Sequence, residues 1–294
     1  MKVVVLMGGP SEESEVSKST GASVALACRS LGFDILEISF RDNYKILLPK
    51  LKKADIVFNA LHGGPGENGE IQTWMDINQI RYTGSGPDAS RLCMNKSLSK
   101  EVVESLGINT PDWELLEIFH DFTRIKLPFV VKPNNQGSTV GLTLVHKEDE
   151  IKPAIIDAFK HGGSVIIEKY IRGRELTVTV IGGKAYPILE IHPNKSLYDY
   201  ECKYSPGMST YTCPANLSLD LTNKIKIDTE NIFNELGCEV YGRADFLLAD
   251  DGQYYFLEMN TLPGMTDTSL VPKSALAGGL SFKKLIGMIL DLSK

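Results

Sequence analysis

The sequence has little of what marks a secreted, membrane-bound or nucleic-acid-binding protein. Its 5 cysteines are odd in number and form no C-x-x-C pair, which favours free thiols in a reducing compartment over disulfides or a structural zinc site. No apolar run approaches the ~20 residues of a membrane span. No basic run occurs, and the net charge is −6. We therefore expect a cytoplasmic protein without membrane or nucleic-acid partners.

The best-known nucleotide-binding motifs are also missing. The chain has no G-x-x-x-x-G-K-[ST] sequence, so any phosphate site in it is not a P-loop. It lacks the H-R-D and D-F-G motifs of protein kinases as well. Its 43% hydrophobic and 23% charged residues are those of an ordinary globular protein. A length of 294 residues is enough for two or three domains.

Strands and helices alternate in the first part of the chain. Apolar runs at residues 2–7, 33–40 and 55–61 predict strands, and a helical pattern over 16–31 separates the first two. Glycine-rich loops follow the first and third of these strands. The pattern predicts a doubly wound α/β domain, in which binding loops lie at the carboxyl ends of the strands.

The rest of the chain predicts a mixture of strands and helices around one long loop. Residues 193–216 are rich in Tyr, Pro, Ser, Lys and Asn and have no clear period. A loop of this length is usually functional and often forms a lid. The other predicted elements are a linker at 82–87, helices over 88–106, 223–236 and 282–292, and strands over 128–133, 164–171 and 175–181.

Residues 243–260 are the most informative stretch, because they predict two strands around a tight turn. Asp251-Gly252 favours a two-residue type I′ turn, which needs positive φ at both central positions. The register that follows from this turn pairs Asp250 with Gln253, Leu247 with Phe256, Asp245 with Glu258, and Arg243 with Asn260.

This register places two carboxylates, Asp245 and Glu258, directly opposite each other. Their Cβ atoms would lie roughly 4.5–5.5 Å apart, where like charges repel. A hard divalent cation, which takes oxygen ligands, would compensate the repulsion. The alternative is an ordinary solvated hairpin whose true register is shifted by one residue.

Four further segments carry weaker signals, and each has an ordinary alternative. Lys132 precedes a loop whose small residues could bring N–H groups to a phosphate, or it is a solvated lysine. Glu168 lies on a strand edge that suits an adenine and a ribose, or the strand is a plain edge strand. The turn at Gly264 could offer donors to an oxyanion, or it is only a turn. Glu13 either binds a ligand or only complements a helix dipole.

In this order, the segments resemble those of the D-alanine–D-alanine ligase family, whose members are ATP-grasp enzymes. The similarity runs nearly end to end, and several motifs of five or more residues are far more specific than a lone glycine pattern. The motifs that carry it are Met7-Gly-Gly-Pro-Ser-Glu-Glu-Ser-Glu-Val-Ser17, Ala60-Leu-His-Gly63, Tyr82-Thr-Gly-Ser-Gly86, Lys132-Pro133 with Gly137-Ser138, Tyr198-Asp-Tyr-Glu-Cys-Lys-Tyr204, Gly242-Arg-Ala-Asp245 and Leu257-Glu-Met-Asn-Thr-Leu-Pro-Gly-Met-Thr266.

The resemblance implies an ATP-grasp fold of mixed α/β and α+β type in three parts. An N-terminal doubly wound α/β domain would cover residues 1–86, a central lid subdomain 87–167, and a C-terminal subdomain with the metal site 168–294. ATP would bind between the last two, and the chain would form a homodimer. Contacts to ATP are implied for Lys96, Lys132, Ser138, Glu168, Lys169, Ile171, Glu175, Lys203 and Asn260, with Lys203 reaching the γ-phosphate.

The resemblance also implies roles around the two amino-acid substrates. Two Mg²⁺ or Mn²⁺ ions would lie on Asp245, Glu258 and Asn260, and Arg243 with the Gly264 N–H would stabilise the tetrahedral intermediate. Glu13 would pair with the ammonium group of the first D-alanine, with His62 nearby. The remaining implied residues are Ser269 and Leu270, which would bind the carboxylate of the second D-alanine, and Ser138 and Tyr204, which would link the lid to Glu13.

The implied reaction is ATP-dependent joining of two D-alanines through an acyl phosphate, for peptidoglycan precursor synthesis. Tyr204 favours D-alanine as the second substrate, because relatives that make D-alanyl-D-lactate typically have histidine there. One alternative is another ATP-grasp carboxylate–amine ligase, which should lack the set of Glu13, Ser138 and Tyr204. The other is a non-catalytic nucleotide-binding module, which would tolerate loss of a metal ligand.

Overall fold

The structure is a computed structural model that describes residues 1–193 and 208–294. It contains three sheets, and the first of them forms the N-terminal part of the protein. This sheet is parallel and has the strand order β2-β1-β3. The predicted alternation of strands and helices is confirmed here. The elements are β1 (Lys2–Gly8), α1 (Ser14–Ser30), β2 (Asp34–Phe40), α2 (Leu48–Leu51), β3 (Ile56–Asn59) and α3 (Glu70–Ile77), with short 3-10 helices at Tyr44–Leu47 and Gly64–Gly66.

Two helices, α4 (Pro87–Met94) and α5 (Lys96–Ser105), stand where the sequence predicted one. The prediction of a single helix over 88–106 is wrong because Asn95 leaves the helical region, with a ψ of 100°. The Asn95 side chain accepts a hydrogen bond from the Leu98 N–H at 3.1 Å, and such an N-cap starts a new helix. Lys96 is therefore the first residue of α5.

The second sheet is antiparallel and has the order β4-β7-β5-β6. Its core contains fully buried apolar side chains such as Val131, Ile155 and Ile167, which pack the sheet against the helix that follows β6. The elements are β4 (Trp113–Leu116), β5 (Phe129–Pro133), β6 (Thr143–Val145), α6 (Glu148–Lys160) and β7 (Val165–Lys169).

The third sheet is antiparallel, with the order β11-β10-β8-β12-β13 and β9 paired to β8. A strand at Ser209–Thr212 lies within the predicted long loop, and another strand ends at Pro193, so residues 193–216 are not a loop throughout. Residues 194–207 lie outside the described part of the chain. The elements are β8 (Gly173–Ile181), β9 (Lys184–Ala185), β10 (Leu189–Pro193), β11 (Ser209–Thr212), α7 (Leu219–Glu235), β12 (Tyr241–Ala249), β13 (Tyr254–Asn260), α8 (Leu270–Ala277) and α9 (Phe282–Leu292).

The last helix packs back on the first helix. Leu285 and Ile286 of α9 share a core with Val5 of β1 and Val24 of α1. The last helix therefore joins the core of the N-terminal part, while the predicted domain boundaries after residues 86 and 167 stay predictions. No helix within residues 1–193 or 208–294 is long and apolar enough to cross a bilayer.

The hairpin of β12 and β13 has the predicted pairing at its polar end. Asp245 pairs with Glu258, and Arg243 pairs with Asn260. The alternative register, shifted by one residue at these positions, is therefore excluded. All four side chains belong to the same end of the third sheet, where β12 also pairs with β8.

The turn of this hairpin differs from the predicted one. The Ala249 N–H donates to the carbonyl of Gln253 at 2.8 Å, so the loop has three residues, 250–252, and Asp250 does not face Gln253. Among these three residues only Gly252 has a positive φ, of 84°. A three-residue loop with one left-handed glycine is a common alternative to the two-residue type I′ turn.

A β-bulge in β13 restores the predicted pairing beyond it. Phe246, and not Leu247, pairs with Phe256, and the register shifts between Asp245 and Phe246 so that Leu257 is left over. The three-residue turn displaces the pairing by one position and the bulge displaces it back. The pairing of Asp245 with Glu258 was therefore predicted correctly, although the turn and the pairing next to it were not.

Gly8 and Gly32 provide a matched test of the close packing at the end of β1. Both have a positive φ, 88° and 82°, but a Cβ at Gly8 would lie 2.5 Å from the carbonyl oxygen of Phe40, whereas one at Gly32 would have nothing within 4 Å. We expect Gly8→Ala to lower the free energy of unfolding by about 3 kcal/mol or more and Gly32→Ala by about 1 kcal/mol. Urea unfolding measures both, and equal losses would contradict the packing described.

Candidate active site

Two cavities lie between the sheets and meet along one wall. Their volumes are about 520 Å³ and 440 Å³. Lys96, Gly137, Ser138 and Glu258 line both of them. We call the larger one the first cavity and the smaller one the second cavity.

The first cavity contains the carboxylate that the sequence predicted to bind an ammonium group. Glu13 follows β1, is 8% exposed, and accepts a hydrogen bond from Ser138 Oγ at 2.5 Å. Ser138 belongs to the loop between β5 and β6, so this bond connects the first sheet to the second. His62 lines the same cavity and is buried. Tyr204, the third member of the predicted set, lies outside the described residues.

The start of α8 forms another part of the wall of the first cavity. Ser269, the residue before this helix, accepts a hydrogen bond from the Thr266 N–H at 3.0 Å. Gly264 lies close to Ser269, because a Cβ at Gly264 would be 3.0 Å from Ser269 Oγ. Leu270 lines the cavity beside them. The positive end of a helix dipole faces the cavity here and favours a bound carboxylate.

Arg243, which lines the first cavity, and Asp245, which lines the second, form a bidentate pair. The guanidinium group of Arg243 donates from Nε to one carboxylate oxygen of Asp245 at 2.9 Å and from Nη2 to the other at 2.7 Å. Thr177 on the neighbouring strand β8 also donates to Asp245, at 2.6 Å. Both carboxylate oxygens of Asp245 therefore have partners within the protein.

Glu258, on the facing strand, is paired with a buried lysine. Lys96 Nζ lies 3.3 Å from Glu258 Oε2 and donates to the carbonyl of Gln136 at 2.6 Å. Burial lowers the pKa of Lys96, and the attraction of Glu258 opposes that shift. Lys96 thus ties α5 to the hairpin at the point where the two cavities meet.

The Arg243–Asp245 and Lys96–Glu258 pairs weaken the argument for a metal ion that was based on charge repulsion. The repulsion between Asp245 and Glu258 is compensated by Arg243 and Lys96, so it does not by itself require a cation. Within the described residues, no group of three or more His, Cys, Asp or Glu side chains is arranged to hold a metal. Two carboxylates and an amide oxygen remain a suitable donor set for Mg²⁺, although Asn260 Oδ1 accepts a hydrogen bond from the Leu262 N–H at 2.8 Å.

The second cavity contains a buried carboxylate held between two lysines. Lys132 Nζ lies 2.7 Å from one oxygen of Glu168, and Lys100 Nζ lies 3.0 Å from the other. Burial alone would raise the pKa of Glu168, but the two lysines outweigh burial and hold it at about 2, against an ordinary value of 4.5. Glu168 is therefore ionised at neutral pH.

The remaining predicted ATP residues lie around the same cavity. Lys169, Ile171 and Glu175 line it together with Asp245. The Lys169 side chain is 55% exposed and lies 3.7 Å from Asp112. Lys203 lies outside the described residues.

Three residues of the site were missed in the sequence. Lys100 follows Lys96 by four positions, which puts both on one face of a helix, so this spacing could have indicated it. Thr177 alternates with Glu175 along β8 and could have been found from that period. Glu67 lines the first cavity 3.5 Å from the ring nitrogen of His62, and no pattern in the sequence indicates that contact.

Comparison with known proteins relates this arrangement to one family. Residues 97–291 match the family described as D-ala D-ala ligase C-terminus, and residues 44–85 match the D-ala D-ala ligase N-terminus. The chain is 42% identical to the D-alanine–D-alanine ligase of Aquifex aeolicus over 293 residues, which cover 99% of this chain and 100% of the relative. It is 39% identical to D-alanine–D-alanine ligase B of Clostridium perfringens, with 100% and 98% covered.

Solved structures show the same similarity. The D-alanine–D-alanine ligase of Bacillus anthracis complexed with ATP superposes with a TM-score of 0.86 at 34% identity, covering 100% of this chain and 96% of that one. The VanG D-Ala:D-Ser ligase of Enterococcus faecalis gives 0.85 at 27% identity, with 100% and 99% covered. The fold and the cleft thus define an ATP-grasp protein. Within that class, the chain belongs to the D-alanine–D-alanine ligase family.

Lys100→Met tests the charge balance around Glu168. Because the pKa of Glu168 is lower in the folded state, its ionisation stabilises the fold above an ordinary pKa of 4.5, and this contribution is lost as the pH falls towards 2. Removing one lysine should raise this pKa and destabilise the protein by about 2 kcal/mol or more at neutral pH. Urea unfolding across the acid range should show a smaller loss of stability below pH 4.5 in the variant, because the folded and unfolded pKa values of Glu168 then lie closer together.

The exposed Lys152 supplies the control for this experiment. Lys152→Met removes the same charge from the surface of α6, where it should change stability by less than about 0.5 kcal/mol. The same pH dependence in both variants would show that net charge, and not the pairing with Glu168, determines the effect.

Proposed function

We propose that the protein is an ATP-dependent D-alanine–D-alanine ligase that supplies the dipeptide for peptidoglycan precursors. The observation that carries this proposal is the meeting of the two cavities at Lys96, Ser138 and Glu258. One cavity presents cations suited to phosphates, and the other presents Glu13 and the start of α8, suited to an amino acid. A phosphoryl group and a carboxylate can therefore approach each other at the shared wall.

In the first step, the γ-phosphoryl group of ATP is transferred to the carboxylate of the first D-alanine, which gives an acyl phosphate and ADP. Lys132 and Lys96 are the described cations that would face the phosphates, and Lys203 is assigned to the γ-phosphate by the resemblance. Phosphoryl transfer depends mainly on positioning and on neutralising the developing charge. Glu13 would hold the ammonium group of this first substrate.

In the second step, the amine of the second D-alanine, after losing a proton, attacks the acyl carbon. Arg243 and the Gly264 N–H would hold the oxyanion of the tetrahedral intermediate, and phosphate then leaves as the peptide bond forms. One preorganised donor of this kind typically contributes about 3–4 kcal/mol to lowering the barrier. Ser269 and Leu270 would hold the carboxylate of the second substrate at the start of α8.

Asp245, Glu258 and Asn260 would hold the two Mg²⁺ or Mn²⁺ ions that the family resemblance implies. When bound, such ions neutralise phosphate charge during the transfer. For Glu258 to serve as a ligand, its contact with Lys96 must be shared or released. From the resemblance alone, we also propose that the chain acts as a cytoplasmic homodimer.

The identity of the second substrate is the point at which a related function competes. The VanG relative, which has the same fold, is a D-Ala:D-Ser ligase, so the fold alone does not select D-alanine. Tyr204, on which the choice of D-alanine over D-lactate rests, lies outside the described residues. A D-Ala:D-Ser ligase is therefore the second candidate.

Incubation of the purified protein with ATP, Mg²⁺ and D-alanine should release phosphate and form D-alanyl-D-alanine in equal amounts. D-serine and D-lactate, each offered together with D-alanine, should give much less mixed product. Mass spectrometry identifies the products. Phosphate release without dipeptide, or equal turnover with L-alanine, would contradict the proposed function, and a preference for D-serine would favour the second candidate.

Glu258→Gln tests whether the hairpin holds the essential metal. The variant keeps the shape of the side chain but loses its charge, so turnover should fall by about two orders of magnitude or more. The Mg²⁺ concentration needed for half-maximal rate should rise. The exposed Glu101→Gln is the matched control and should behave as wild type. Near-normal turnover by Glu258→Gln, in a protein with an unchanged melting temperature, would contradict the metal assignment.

A further inference from the structure

Thr20 connects the segments that carry His62 and Gly264, both of which line the first cavity. It lies on α1, is 1% exposed, and its hydroxyl group is 2.9 Å from Nε2 of His62. The same oxygen accepts a hydrogen bond from the Met265 N–H at 3.4 Å. Met265 directly follows Gly264, whose N–H is assigned to the oxyanion. One hydroxyl group therefore joins α1, the loop after β3 and the Gly264–Met265 turn.

The contacts of these groups place His62 between two partners. Thr20 accepts a hydrogen bond from the Met265 N–H, and its hydroxyl group lies within hydrogen-bond distance of His62 Nε2. The other ring nitrogen of His62, Nδ1, faces Glu67 Oε1 at 3.5 Å. His62 and Glu67 are 5% and 8% exposed, so water does not replace these partners easily.

Thr20 differs in this respect from an ordinary buried threonine in a helix. Thr229 on α7 is also fully buried, and its hydroxyl group donates to the Ile225 carbonyl of its own helix at 2.7 Å, which is the usual use of such a side chain. Thr20 instead reaches two segments that are distant in sequence. Its hydroxyl group thus has a tertiary role that Thr229 lacks.

We propose that Thr20 is a positioning residue for the ligation reaction, because it fixes the turn that carries the Gly264 N–H. The proposal rests on the proposed function of the site. A donor stabilises an oxyanion only when it is held at the right place before the reaction. Small misplacements of catalytic groups reduce rates strongly. Thr20 is not among the described residues that line the second cavity, where ATP would bind.

The test compares Thr20→Val, Thr20→Ser and Thr229→Val in the full-length enzyme. Valine has the shape of threonine without the hydroxyl group, so kcat for dipeptide formation should fall about tenfold or more in Thr20→Val, while KM for ATP stays within about twofold of wild type. Thr20→Ser retains the hydroxyl group and should keep kcat within about threefold of wild type. Thr229→Val should leave both constants unchanged.

Amide hydrogen exchange gives a readout that does not depend on activity. A peptide that contains Met265 should exchange faster in Thr20→Val than in wild type and in Thr229→Val. If wild type forms no dipeptide, the proposed function fails, and hydrogen exchange still tests the contact. If wild type is active and Thr20→Val keeps its kcat, or if Thr20→Ser loses as much as Thr20→Val, the positioning role is wrong.

Discussion

The cleft depends on the pairing of charges that the fold removes from water. An ionised side chain in the interior is tolerated only when opposite charges and hydrogen bonds compensate its lost hydration. Here α5 supplies Lys96 and Lys100, and their partners Glu258 and Glu168 come from two different sheets. The pairs therefore hold the walls of both cavities at fixed distances, because separation would leave a charge buried alone.

This pairing also prepares the second cavity for an anionic ligand. Lys132 is 11% exposed at its side chain and is already oriented by Glu168. A phosphate that enters the cavity meets a cation in place, so little reorganisation of the protein is needed. The cost is that Lys132 must be shared between Glu168 and the ligand. We infer that affinity in this cavity reflects a competition between protein and ligand for the same cations.

From the sequence, the positions of the candidate site residues could be predicted more completely than the packing around them. Alternation is a local property, and it placed Arg243 with Asp245 and Glu258 with Asn260 on common faces. The pairing of Asp245 with Glu258 was correct only because the bulge at Leu257 offsets the error in the predicted turn. The break at Asn95 was missed because the apolar pattern continues across it. The spacing from Lys96 could have indicated Lys100, but neither its contact with Glu168 nor the contact of Thr20 with Met265 could be derived, since both contacts join segments far apart in the chain. Tertiary contacts of this kind leave no periodic signal.

The bulge at Leu257 has a consequence for how this hairpin can vary. Leu257 and Glu258 both line the second cavity, although they are neighbours in sequence, whereas Phe256 is fully buried. In a strand without the bulge, side chains would alternate, and the three-residue turn would bring Leu257 opposite Asp245 and direct Glu258 into the core. Substitutions at Leu257 would change only the shape of the wall, but gain or loss of one residue would exchange an acid for an apolar group. Length, more than composition, is therefore the property that selection must preserve here.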